Sequence, residues 1–271
     1  MRLSASNIAW DAAEDAAIAA LLGGFGIDQV DLAPSKYFAE PAAANAMQIA
    51  AVRTWWEDRG FTIAGMQSLL FGTQGLNLFD DTRAAMLDHL TEICRIGGGF
   101  GARALTFGSP RQRDRSGLSD QQTEAIAVDF FTKLGDRAAD AGVIICLEPN
   151  PAFYNCNFMT TTDETAAVVA TVDHPAIMLQ LDVGAMALNR EAVEATIGRH
   201  AALIGHVHAS EPRLVTLGDA GSPHADAGAA LRLHRPDLTV AIEMVASPNA
   251  SHVTEMERAA ALATRHYGDA S

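Results

Sequence analysis

Lysine is nearly missing from this sequence. Of its 19 basic residues only Lys36 and Lys133 are lysines. A Schiff-base mechanism therefore has almost no candidate amine, and no GxxxxGK[ST] phosphate loop occurs. Cysteine is scarce too. Cys94, Cys146 and Cys156 show no CxxC spacing and cannot all pair, so no disulfide framework is implied and a reducing, cytoplasmic setting is expected. No stretch reaches the roughly 18–20 apolar residues of a membrane helix. The N-terminal MRLSASNIAWDAAEDAA turns acidic before a signal-peptide run can form. Acids outnumber bases by 33 to 19, a net charge of −14. Such a chain repels nucleic acid backbones and anionic membranes, so neither is an expected partner.

What is present is alternation. Short apolar, often β-branched runs predict strands over 3–9, 29–33, 61–68, 103–107, 143–148, 177–182, 204–209 and 239–244. Ala-rich segments between them predict helices over 11–22, 40–59, 82–96, 120–141, 161–172, 190–202, 225–234 and 252–265. Ser119 and Thr161 read as helix N-caps followed by amides or acids. Gly97-Gly98-Gly99 is expected to stop the third helix. Strict βα alternation means a parallel sheet, and eight units in 271 residues predict an α/β protein with one (β/α)8 barrel domain over 1–271. A doubly wound dinucleotide fold would want GxGxxG at the first βα turn, where this chain has Ala9-Trp10-Asp11.

In such a barrel the active site lies at the C-terminal ends of the strands. Strand five ends in Glu148, strand six in Asp182 and strand seven in His208, and strand eight carries Glu243. Each is a polar residue closing an apolar run. One alone would cap its strand or pair with an arginine. Four at matching positions, three of them carboxylates, call for a compensating cation. Three carboxylates and one imidazole favour a single divalent ion, Mn²⁺, Mg²⁺ or Co²⁺ ahead of Zn²⁺. Other strand-end residues could shape a pocket: Asn7 and Trp10 after strand one, Gln67 after strand three, and Asn150 just beyond Glu148. Glu211, Arg213 and His224 lie in the long loop after strand seven and are further candidates for substrate contact. Lys36, Arg111, Arg113 and Arg115 fall in loops on the same face, as solvated charges or receivers of an anionic group. His206, two residues before His208, reads as a buried, hydrogen-bonded core histidine.

These residues carry a resemblance. With SNIAW at the first strand, GMQSLLFG at the third, FGSPR at the fourth and HASEP at the seventh, the chain resembles the xylose isomerase-like TIM barrels over nearly its whole length. That family includes sugar and sugar-phosphate isomerases and epimerases, ketose 3-epimerases and inosose dehydratases. The resemblance implies one divalent metal held by Glu148, Asp182, His208 and Glu243. It also implies that Glu148 and Glu243 face each other across the substrate carbon as catalytic acid and base. The implied chemistry is proton transfer beside a carbonyl through a metal-stabilised enediolate, giving epimerisation or aldose–ketose isomerisation of a small sugar or polyol. Loss of a β-hydroxyl from the same intermediate would make the protein a dehydratase or lyase acting on a keto-polyol or 3-keto-glycoside. Two departures from the ketose 3-epimerase pattern stand out. Ala185 occupies the place of a substrate-contacting histidine, and Leu214 that of an arginine, with Arg213 one position early. An endonuclease IV-like enzyme shares the barrel but needs ligands that the ends of strands two and three do not supply. Homo-oligomers are common in the resembled family.

Overall fold

The structure, a computed structural model, describes residues 1–268; the last three residues of the expected 1–271 domain lie outside it. Eight parallel strands close into a barrel in sequence order. They are β1 (Arg2–Ser6), β2 (Gln29–Leu32), β3 (Thr62–Met66), β4 (Ala104–Phe107), β5 (Ile144–Leu147), β6 (Ile177–Asp182), β7 (Ile204–Ser210) and β8 (Thr239–Glu243). The helices around them are α1 (Asp15–Gly24), α2 (Ala46–Glu57), α3 (Arg83–Phe100), α4 (Asp120–Asp140), α5 (Thr162–Val172), α6 (Val183–Asn189), α7 (Val193–His200), α8 (His224–His234) and α9 (His252–Tyr267). Among the described residues no helix is long and apolar enough to cross a membrane.

Each strand turns alternate side chains outward and inward. The outward set, with Leu105, Ile145, Val207 and Val240 among its fully buried members, packs beneath the helices. The inward set mixes small apolar residues such as Ala104, Cys146 and Ala241 with a connected group of polar ones. Asp31 accepts from Ser4 on the neighbouring strand at 2.5 Å and bonds His206 across the barrel at 2.6 Å. Thr106 donates to Gln180 at 3.1 Å, and Gln29 links Thr62 to Thr239. His206 is thus the buried, bonded core residue that its position in the sequence suggests. Register shifts at Val30/Asp31 and Leu179/Gln180 re-aim both strands, and the second leaves Asp182 directly beside His208.

Three helical expectations change. The third helix does not stop at Gly97-Gly98-Gly99 but runs through them to Phe100, where Gly101 adopts the left-handed conformation (φ 75°) that ends it. The three glycines are packing residues. A Cβ on Gly98 would meet the Ala141 carbonyl, one on Gly99 the Ile49 side chain and one on Gly97 the Leu105 side chain. The segment before 190, expected to be loop, contains α6. Seven residues are too few to show a helical period, and the helix forms because Asp182 caps it, its Oδ1 accepting the Ala185 N–H at 2.5 Å. The second helix is also shorter than expected, starting at Ala46 with Asn45 as its cap.

Candidate active site

The four strand-end residues converge at the C-terminal mouth of the barrel. One carboxylate oxygen each from Glu148, Asp182 and Glu243, with one ring nitrogen of His208, all lie within 4.8 Å of one another. All four residues are buried. His208 Nδ1 sits between the two glutamates, 3.0 Å from Glu148 Oε1 and 3.2 Å from Glu243 Oε2. The remaining glutamate oxygens are each held by an amide: Asn150 donates to Glu148 Oε2 at 3.2 Å and Gln67 to Glu243 Oε1 at 3.0 Å. Ser210 donates to Asp182 Oδ2 at 2.8 Å and accepts the Gly184 N–H at 3.0 Å. Arg113, fully buried, donates to the Glu148 carbonyl at 2.8 Å and fixes the end of β5 from behind.

The electrostatics follow from this crowding. Burial, and then the charges of Glu148 and Glu243, push the Asp182 carboxyl well above the usual carboxylate range. Burial pulls His208 the other way, towards the neutral ring. The charge of Glu243 and the hydrogen bonds to both glutamates overcome it and raise its pKa well above the ordinary value. Three acids packed this closely carry more negative charge than the His208 ring alone offsets, and the donor set fits a hard divalent cation.

Above the cluster opens a cavity of about 580 Å³. Gln67, Asn150, Glu211 and Arg213 line it, with Ala185 and Leu214 at the two positions that depart from the ketose 3-epimerase pattern. Glu211, though on the wall, already accepts bonds from Gly218, Ser222 and His224. Three of the expected substrate contacts lie off this wall. Trp10 is fully buried and donates its indole N–H to Asp15 at 2.7 Å, so it packs rather than stacks on a ligand. Asn7 accepts the Ala33 N–H at 2.7 Å, tying β1 to the turn after β2. His224 is buried between Tyr267 and Glu211 and acts on the loop, not on the cavity. Sequence reasoning missed Arg113 and Ser210 as supports. Ser210 alone carried a signal, lying two residues after His208 and so on the same face of β7.

A closed eight-stranded barrel with an acidic, histidine-bearing cluster at its mouth defines a class, and the sequence comparison defines the family. The family model for the xylose isomerase-like TIM barrel matches residues 19–262, and the chain belongs to that family. No curated protein sequence is significantly similar to it. Among solved structures it is similar to a D-psicose 3-epimerase determined in the presence of D-fructose, with 19% identity, a TM-score of 0.81, and 99% of this chain and 100% of that one covered. It is also similar to the 3-keto-D-glucoside 4-epimerase YcjR of E. coli, with 14% identity, a TM-score of 0.75 and coverage of 96% and 98%. A third is the IolI protein with a bound zinc atom, with 12% identity, a TM-score of 0.77 and 98% of each chain covered. At these identities the likeness is one of fold.

Proposed function

We propose that this protein is a cytoplasmic, divalent-metal-dependent isomerase or epimerase that moves a proton beside the carbonyl of a small sugar or polyol. One observation carries the reading. Glu148 and Glu243 each turn one oxygen to His208 and leave the other, steadied by an amide, beside the cavity. Glu148, Asp182, His208 and Glu243 would hold the ion, with Mn²⁺, Mg²⁺ or Co²⁺ favoured by the three carboxylates. When bound, a divalent ion polarises a substrate carbonyl and offsets the negative charge that develops beside it. The chain's own part is acid–base work. One outer glutamate oxygen takes the proton and the other glutamate returns one, to the opposite face of the same carbon or to its neighbour. The amides of Asn150 and Gln67 set the direction of those oxygens. The epimerases among the structural neighbours and the three free, buried cysteines support the enzyme class and the compartment.

The test joins metal analysis to deuterium exchange over ketoses, inososes and 3-keto-glycosides. We expect about one divalent ion per chain and solvent deuterium entering a ketose, with both lost in Glu148→Gln and Glu243→Gln. Undiminished exchange in both variants removes the two-glutamate mechanism. Ala185, lining the cavity in place of a histidine, keeps a second outcome in view. A new enone absorbance from a keto-polyol or 3-keto-glycoside would make the enzyme a dehydratase or lyase using the same site.

A further inference from the structure

Most cationic side chains on the mouth side of the barrel are already committed. Lys36 donates to the Trp10 carbonyl at 2.8 Å, Arg115 pairs with Asp120 at 2.6 Å, and Arg113 is buried against Glu148 and Cys156. Arg111 and Arg213 differ. Both line the cavity, and among the described residues neither guanidinium has a carboxylate partner or a side-chain hydrogen bond. Both residues are exposed, and both belong to the lining of one cavity, at the mouth that carries the acidic cluster. Solubility does not explain them, because the surplus of acids already supplies it.

Arg213 is also held in place. It and Leu214 are consecutive non-glycine residues in the left-handed region, with φ of 62° and 53°. The turn is pinned by the Arg213 N–H, which donates to the Tyr154 hydroxyl oxygen at 2.7 Å. That bond uses an acceptor site of Tyr154 and leaves its O–H free to donate, and Tyr154 lines the same cavity. The Arg213 guanidinium lies over the Phe153 ring, 5.1 Å from its centre, which restricts its range. The site is therefore bipolar. Glu148, Asp182 and Glu243 form the floor, and Arg111, Arg213 and Tyr154 belong to the wall, with the apolar Leu70, Phe71 and Pro151 also lining the space.

We infer that the cavity takes a sugar or polyol derivative bearing an oxyanion, a carboxylate or a phosphate, away from its carbonyl end, and that Arg111 and Arg213 are its specificity-determining residues. The inference rests on the proposed function in one respect, that the carbonyl end sits at the glutamate cluster. Guanidinium suits both anions through paired N–H donors.

Binding of three probes separates the possibilities. The full-length protein, with and without Mn²⁺, is titrated calorimetrically with sorbitol, sorbitol 6-phosphate and gluconate. We expect one of the anions to bind about tenfold or more tightly than sorbitol, since charged hydrogen bonds exceed neutral ones. The tighter of the two tells phosphate from carboxylate. The advantage should fall with added NaCl and vanish in the Arg111→Gln/Arg213→Gln double variant, whose melting temperature and Mn²⁺ binding should stay as in the parent. Equal binding of the three, or binding of none, overturns the inference. So does an anion advantage that survives in the double variant, which would belong to the metal. Mn²⁺ binding and deuterium exchange are scored separately. If both are present without anion selectivity, the proposed function stands and this inference falls. Arginine-dependent selectivity without Mn²⁺ binding keeps the oxyanion subsite and removes the metal chemistry.

Discussion

Gly108, the residue after β4, governs the placing of Glu148. A Cβ there would run into the Glu148 carboxylate. Gly108→Ala is therefore expected to weaken divalent-ion affinity about 10–100-fold, the range for disturbed support of a ligand, while the fold stays intact. Titration with Mn²⁺ beside a thermal melt checks this, and unchanged affinity would refute it. Glu148, Asp182, His208 and Glu243 were legible at this scale because each interrupts an apolar run at a strand end. Gly108 and Arg113 were not. Arg113 lies 35 residues before the Glu148 carbonyl it serves, and sequence alone does not say which loop arginine is drawn inside. Trp10 shows the opposite error. A tryptophan beside a strand end reads equally well as a sugar platform or as packing, and Asp15 five residues on decides for packing by taking the indole N–H.

Among the elements, the alternating run of strands and helices was readable because buried parallel strands are continuously apolar. Two exceptions have physical reasons: α6 owes its existence to a cap rather than a period, and the glycines of α3 serve approach rather than termination. Gly98→Ala should test the second. The change favours the helix by about 1 kcal/mol, but the new methyl meets the Ala141 backbone carbonyl, which cannot rotate away. We expect a net loss of about 1–3 kcal/mol in urea unfolding, typical of overpacking; a gain would show that the neighbouring chain yields. The loop between β7 and α8 offers a pH test. Burial disfavours the Glu211 carboxylate, but bonds from His224, Ser222 and Gly218 outweigh it and bring its pKa down to about 2. A carboxyl lowered on folding adds stability above its unfolded value, and that stability is lost as pH falls towards the folded one. The melting temperature should thus drop between pH 5 and pH 3 by more in the parent than in Glu211→Gln, and equal drops would exclude the assigned role.

For the molecule as a whole, the number of units and the closure of the barrel followed from the sequence, whereas the bonding along its axis did not. The bonded inward pairs Asp31–His206 and Thr106–Gln180 come from strands far apart in the chain, and the partners meet only once the barrel closes. Removing one member of the buried Asp31–His206 pair should be severe: Asp31→Ala is expected to cost about 3 kcal/mol, because a buried polar partner is left alone. His206→Ala added to it should cost much less than His206→Ala by itself, and a denaturation cycle showing simple additivity would argue against the coupling. This polar axis has a consequence for assembly. A strand that slipped by one residue would turn its inward polar groups towards the helices and bring aliphatic side chains inside, stranding donors and acceptors on both faces. The axis therefore works as a lock on strand alignment, rejecting misthreaded barrels before the mouth of the site is built.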